Sequence, residues 1–306
     1  MTWYTQFDTV IPENLPDLHW ERDVPMAEHT SFKVGGNAGR MAYPVTVEQL
    51  VLLVHLATDC GARPMVIGKG SNLLVGDGGL DRLVIDTTAA LTGVTVLEGN
   101  RLQVQAGATM ARMADVAQKQ GLTGVEFAHG IPGSLGGGIV MNAGAYGGEL
   151  CQVVASVTVL DPERGVVTLP CEDMDFGYRH SILQDHPDWV VLEAVLQLQV
   201  GDKAAIRSRM VELIGKRKDK QPLEYPNAGS TFKRPEGHFA GALIEQCGLK
   251  GFTIGGAQVS EKHAGFVINR GGATCSDVLA LMKAVEEKVL VETGVQLEAE
   301  VRILCE

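Results

Sequence analysis

In the run Asn227-Ala228-Gly229-Ser230-Thr231-Phe232-Lys233-Arg234-Pro235, a serine hydroxyl follows a glycine, with two cations three and four residues further on. A hydroxyl in that company can release a proton if nearby positive charge stabilises its alkoxide. A hydrolase nucleophile is disfavoured, because no serine in the chain has the glycines of a nucleophile elbow on both sides. Tyr178-Arg179-His180-Ser181 sets a cation beside an aromatic ring, a pattern equally compatible with a solvated arginine. Over residues 295–304 apolar and polar side chains alternate, so an extended chain would put Glu298, Glu300 and Arg302 on one face. That face reads as a carboxylate-bearing site or as a surface ion-pair ladder, and the pattern does not choose between the two glutamates.

Glycine is in excess, 37 of 306 residues, and it is clustered. Gly68-Lys69-Gly70-Ser71-Asn72 follows the apolar run Met65-Val66-Ile67, where bare backbone could turn N–H groups toward phosphate oxygens. It is not a P-loop, no dinucleotide fingerprint occurs anywhere, and a tight turn explains it equally well. Gly130-Ile131-Pro132-Gly133-Ser134-Leu135-Gly136-Gly137-Gly138, followed by Asn142-Ala143-Gly144-Ala145-Tyr146-Gly147-Gly148, is too rich in glycine for the interior of an ordinary element. A diphosphate or a flat ring lying on bare backbone would need such a segment; a glycine-rich connection between strands is the plainer alternative. The basic run Lys216-Arg217-Lys218-Asp219-Lys220 suits a helix C-terminus, where cations offset the dipole.

The elements that must carry these residues are legible in outline. An extended opening leads to Gly35-Gly36. Thr46 and Gln49 read as a capping box for a helix to about Cys60, closed by Gly61. Residues 65–67 form a short strand. Strands at 94–97 and 102–105 flank a turn at Glu98-Gly99-Asn100, and a helix over 109–120 stops at Gly121. Half-buried strands are expected at 153–160, 166–169 and 190–200, then a helix over 204–218 broken at Pro222. Ser276 can cap a long helix to Thr293, Gly294 stops it, and 295–304 is a final strand. These pieces divide as 1–90, 91–205 and 206–306.

Composition narrows the partners. A net charge of −11 repels nucleic acid and anionic lipid, so an anionic ligand must meet a local cluster of cations. The six cysteines form no Cys-x-x-Cys pair, which points to reduced thiols rather than structural zinc or a disulfide framework. No bound metal is expected. The first residues lack the basic and apolar regions of a secretion signal, and the longest apolar run is too short to span a bilayer. A cytoplasmic protein is expected, with no membrane partner.

In their order along the chain, the motifs resemble the UDP-N-acetylenolpyruvoylglucosamine reductase (MurB) family, flavoproteins of the vanillyl-alcohol oxidase fold type. The likeness is carried by Thr30-Ser31-Phe32-Lys33-Val34-Gly35-Gly36, the loop at Gly68, Gly130-Ile131-Pro132-Gly133, Asn142 to Gly147, Tyr178 to Ser181, Ala228 to Lys233 and the segment Leu297 to Arg302. It implies an α+β fold: a two-part FAD-binding module and a smaller C-terminal α+β substrate domain. FAD, held non-covalently, would meet Gly68, Lys69, Gly70, Ser71 and Asn72, chiefly at its diphosphate. It would also meet Gly130, Ile131, Pro132, Gly133, Gly136, Gly137, Asn142, Gly144, Ala145 and Tyr146. The reaction implied is NADPH-dependent reduction of an enolpyruvyl UDP-sugar, with hydride passing from flavin N5 to C3 and a proton to C2. Ser230 matches the proton donor, and Arg179 and Glu300 the other two catalytic residues; the resemblance thus selects Glu300 over Glu298. Lys220, Lys233, Arg234, His263 and Arg302 would approach substrate. Only 50 residues separate Arg179 from Ser230, which resembles the shorter subclass without an inserted tyrosine lid. A monomer is expected.

Overall fold

The computed structural model describes residues 2–305. Backbone proximity divides the chain into two units, each assembled from three separate stretches. The first takes Met1–Arg22, Arg40–Lys69 and Arg82–Gly215; the second takes Asp23–Gly39, Gly70–Asp81 and Lys216–Glu306.

The first unit opens with a helix, α1 (Trp3–Asn14), where the sequence reading expected extended chain. Phe7 and Ile11, one helical turn apart, are both fully buried, and that pair fixes the helix more firmly than the weak propensities around it. Extended chain does follow, at His19–Pro25. Helix α2 (Val47–Asp59) buries Leu50, Leu53, Val54 and Ala57, the i, i+3, i+4, i+7 stripe of an amphipathic helix. Thr46 caps it by accepting from the Gln49 amide at 3.1 Å. The Gln49 side chain instead accepts from the Val45 amide at 2.7 Å, so the expected reciprocal box is shifted by one residue.

A four-stranded sheet runs in the order His19–Pro25, Asn37–Tyr43, Leu80–Asp86, Met65–Ile67, with the last two parallel. A five-stranded antiparallel sheet runs Gly165–Pro170, Val154–Asp161, Val190–Gln197, Arg101–Gln105, Val94–Leu97. The expected strand over 190–200 stops at Gln197, and Gln199–Val200 pairs with Leu122–Thr123 instead. Helix α3 (Met110–Gln120) starts on Thr109, whose hydroxyl accepts from the Arg112 amide, and ends on Gly121 at φ +70°. A short helix α4 (Leu135–Val140) and helix α5 (Lys203–Lys220) complete the set.

The second unit packs helix α6 (Ala240–Gln246) and helix α7 (Cys275–Thr293) with a three-stranded antiparallel sheet, Thr253–Ile254, Ala257–Val259 and Val267–Asn269. Ile244, Val278, Leu281 and Val285 lie at its centre. The cap of α7 is Thr274 rather than Ser276. Thr274 and Asp277 satisfy each other's amides, while the Ser276 hydroxyl donates to Asp77 at 2.7 Å. The final strand is also shorter than its alternation suggests. Only Arg302–Leu304 pairs as a strand, parallel to Leu73–Val75, while Ala299 forms an isolated antiparallel bridge with Phe232. Among the described residues no helix is long and apolar enough to cross a membrane.

Candidate active site

In the first unit the two glycine-rich segments meet. Gly68 follows the parallel strand Met65–Ile67, and a Cβ there would lie 1.9 Å from the Ser134 hydroxyl and 2.8 Å from the Ser134 Cβ. Only glycine permits that approach. Ser134, buried at the start of α4, makes no capping bond to its own helix. The segment is sewn down by the Leu135 amide to the Ala108 carbonyl, Gly136 amide to Ala106 carbonyl, and Met110 amide to Gly133 carbonyl, at 2.8, 2.8 and 3.0 Å. A Cβ on Gly136 would press on Ala106, whereas one on Gly137 would meet no atom nearer than Ser134 Oγ at 3.7 Å. Gly136 is thus needed for packing, and Gly137 keeps an open backbone face. Next to Gly130, the Nδ1 atom of His129 is buried with no protein partner, while its Nε2 lies 3.1 Å from Asp115.

Gly144–Ala145 and Gly148–Glu149 form a small hairpin whose turn residues, Tyr146 and Gly147, both have positive φ, +56° and +87°. Tyr146 stands largely in solvent. Asn142 is anchored firmly within the protein. It is buried, and its side-chain amide donates to Glu149 and to the Gly177 carbonyl, both at 3.0 Å, and accepts from the Cys151 amide. Its hydrogen bonds join two loops of the protein.

The second of those loops carries Arg179. Gly177 and His180 bridge each other, so Tyr178 and Arg179 occupy a two-residue turn, with Arg179 at φ +54°. The guanidinium donates to the Gly144 carbonyl at 3.1 Å and lies 5.2 Å from the Tyr178 ring centroid. Ser181, fully buried, donates to the Val140 carbonyl at the end of α4. Gln184 donates to the same carbonyl and to that of Arg179, and His180 lies 3.5 and 3.6 Å from Asp175 and Asp185. A strained backbone residue with this much support is held for a purpose. Sequence reasoning missed Ser181 and Gln184 as its anchors.

The second unit holds the other chemistry. Gly70, at φ +56°, lies against the His29 carbonyl, which a Cβ would approach to 2.1 Å. Asn72 donates to the Glu300 carbonyl at 3.1 Å, and its own carbonyl accepts from the Arg302 amide at 2.9 Å. Ser71 neighbours these contacts in sequence only. Asn227 folds the chain before Ser230: its side chain accepts from the Gly229 amide and donates to the Tyr225 and Pro222 carbonyls. Gly229, at φ +80°, faces open space, and Ser230 beside it is exposed. Thr231 is buried; its carbonyl accepts from the Glu300 amide at 2.8 Å, and its hydroxyl accepts from the Val267 amide. Ser230 and Glu300 are thereby fixed on adjoining stretches of backbone.

The two glutamates differ in their surroundings. Glu298 is exposed and lies 3.5 Å from the Lys233 ammonium, while Glu300 is half-buried. Lys233 thus meets a carboxylate across the bridge. Arg234 stacks on Phe239 at 4.0 Å and donates to the His238 carbonyl. Lys220 is exposed at the end of α5. His263 is half-buried, its Nδ1 accepting from the Gly265 amide. Burial lowers its pKa, and the charges of Lys250 and Lys220 lower it further, so the imidazole is neutral at pH 7. Arg302 projects from the final strand and is exposed. Arg270, stacked 4.6 Å from the Tyr225 ring and bonded to its hydroxyl, adds a cation that the sequence reading left out.

An FAD-binding domain family model matches residues 38–169, which includes Gly68 and the whole of the glycine-rich segment 130–149. The chain is a flavin-dependent oxidoreductase, with FAD as its cofactor. The residues fit that group: Gly137 and Gly147 leave open faces beside their backbone, and the buried Nδ1 of His129 has no protein partner. A second family model, for the C-terminal domain of UDP-N-acetylenolpyruvoylglucosamine reductase, matches residues 221–304. The chain is 49% identical over 301 residues to the UDP-N-acetylenolpyruvoylglucosamine reductase of Clostridium botulinum, covering 98% of this chain and 96% of that one. It is 46% identical to the Agathobacter rectalis reductase, with 97% of each chain covered. The crystal structure of the Thermus caldophilus reductase superposes with a TM-score of 0.79 at 33% identity, covering 94% of this chain and 98% of that one. The chain belongs to the UDP-N-acetylenolpyruvoylglucosamine reductase family.

Proposed function

We propose that the protein reduces UDP-N-acetylglucosamine enolpyruvate to UDP-N-acetylmuramate with NADPH, as a step in peptidoglycan precursor synthesis in the cytoplasm. The observation that best supports this reading is the bond from the Glu300 amide to the Thr231 carbonyl, which ties the stretch of backbone carrying Glu300 to the one carrying Ser230. Bound FAD supplies the two-electron carrier that takes hydride from NADPH and gives it to C3 of the enolpyruvyl group. Gly68, Lys69, Gly70, Ser71 and Asn72 are assigned to its diphosphate, and residues 130–137 with Gly144, Ala145 and Tyr146 to the rest of the molecule. Asn142 serves it indirectly, by shaping that wall.

Addition of hydride at C3 leaves negative charge on C2 and the neighbouring carboxylate. Arg179 offsets that charge, and Glu300 hydrogen-bonds the same group. Ser230 completes the addition by giving its proton to C2. The hydroxyl is a weak acid, and its exposure beside the open face of Gly229 gives it room to reach substrate. Lys220, Lys233, Arg234, His263 and Arg302 are assigned to the UDP-sugar, His263 as a neutral hydrogen-bonding partner. The stretch between Arg179 and Ser230 is largely taken up by the strand Val190–Gln197 and by α5, consistent with the shorter subclass.

Two half-reactions separate the roles. Reduction by NADPH needs no acid at C2, so Ser230→Ala should still bleach the flavin absorbance under anaerobic NADPH. Reoxidation by the enolpyruvyl nucleotide should slow roughly 10²- to 10⁴-fold, the usual cost of losing a positioned acid. Ser230→Cys should recover part of that rate. Wild-type reoxidation in the alanine variant would remove Ser230 from the mechanism, and failure of the wild-type protein to bleach with NADPH would remove the nicotinamide from the reading.

A further inference from the structure

Two thiols of the second unit meet where the reaction has no use for them. Cys275 is the first residue of α7 and is buried; Cys305 follows the final strand and is exposed. Both sit on the turn Gly76-Asp77. The Gly76 amide donates to the Leu304 carbonyl at 2.8 Å, and a Cβ on Gly76 would lie 3.3 Å from Cys305 Sγ. On the other side, Asp77 accepts from the Cys275 amide at 2.7 Å. We infer that Cys275 and Cys305 form an oxidation site, closing to an intramolecular disulfide that fastens the end of the final strand to the start of α7.

Burial together with the neighbouring Cys305 thiol pushes the Cys275 pKa up to about 12. That asymmetry orders the chemistry. With glutathione disulfide as oxidant, the exposed Cys305 thiolate attacks one sulfur, a mixed disulfide forms, and one glutathione thiolate leaves. Cys275 then loses its proton to solvent and its sulfur attacks Cys305 Sγ. The protein S–S bond forms, the second glutathione thiolate leaves, and glutathione has gained the two electrons the protein lost. Burial keeps little of Cys275 as thiolate near neutrality, so closure is faster at higher pH. The site does not depend on the proposed substrate. Dithiothreitol reverses it.

The experiment treats the whole FAD-loaded protein with glutathione disulfide at pH 7 and pH 9, quenches with acid, and maps unreduced peptides by mass spectrometry. The expected result is a glutathione adduct on Cys305 at pH 7 that gives way at pH 9 to a cross-linked peptide joining Cys275 and Cys305. C275S should keep the adduct and never close, and C305S should show neither species. Reduction with dithiothreitol should restore the original peptides. An adduct on Cys305 that persists at pH 9 in wild-type protein would overturn the inference, as would a cross-link that survives in C275S.

Discussion

At residue scale, the two glutamates near the chain's end make a controlled pair. They are two positions apart, yet Glu298 is exposed beside Lys233, and Glu300 is half-buried with its amide on Thr231. An exposed ion pair of this kind contributes roughly 0–1 kcal/mol. Glu298→Gln should therefore leave both half-reactions within about threefold of wild type and shift stability little. Glu300→Gln keeps the shape and the backbone bond but alters the group offered to the developing charge. Its reoxidation by substrate should slow at least about tenfold, while bleaching by NADPH stays unchanged. Stopped-flow absorbance separates the two steps, and equal behaviour of the two variants would undo the assignment. The same distinction applies to Asn142, which the motif places among cofactor contacts. Its side-chain bonds to Glu149, Gly177 and Cys151 also hold Gly177 in place, and with it the turn that carries Arg179.

At the scale of elements, the contact between Gly68 and Ser134 joins the loop after a strand to the first turn of α4. Gly68→Ala puts a methyl 2.8 Å from the Ser134 Cβ, a clash that rotation of the hydroxyl does not relieve. Overpacking of this kind costs about 1–3 kcal/mol. Ser134→Gly in the same chain removes the opposing atoms and should recover much of the loss, giving a coupling energy on the order of 1 kcal/mol or more in a double-mutant cycle. Urea unfolding supplies the stabilities, and FAD retention should follow the same order; simple additivity would mean that the two segments do not meet. That contact could not be read from sequence, although each glycine cluster could. Helices α2 and α3 were legible because apolar period and caps agree. Helix α1 was not, since two buried residues, Phe7 and Ile11, carry it. The final strand misled in the opposite direction. Its alternation is genuine, but only Arg302–Leu304 has a neighbouring strand to pair with. Likewise Ser276 has the chemistry of a cap, yet Asp77, distant in sequence, takes its hydroxyl. Ser230, Arg179 and Glu300 stood out through their motifs; Asn227, Thr231 and Ser181 lie in the same motifs, but nothing local shows that they hold the backbone there.

Across the whole molecule, charge acts in two directions on an anionic substrate. The net charge of −11 repels it, but the excess is uneven: the first unit has 21 acidic and 13 basic residues, the second 16 and 13. Within the second unit burial lowers the His263 pKa first, and the cations Lys250 and Lys220 lower it further against the opposing Glu245. Added salt screens both effects. The diffuse repulsion comes from charges spread over a surface wider than the Debye length, about 10 Å at 0.1 M, and is weak at moderate ionic strength already. The local attraction acts over a few ångströms, and it dominates binding while losing strength steadily with salt. The KM for the enolpyruvyl nucleotide should therefore rise several-fold between about 0.02 and 0.5 M sodium chloride, with kcat nearly constant. Lys220→Gln and Arg234→Gln should each raise KM at low salt and flatten its salt dependence. If the overall negative field governed the encounter, KM would instead fall as salt is added, and the two substitutions would leave the slope unchanged.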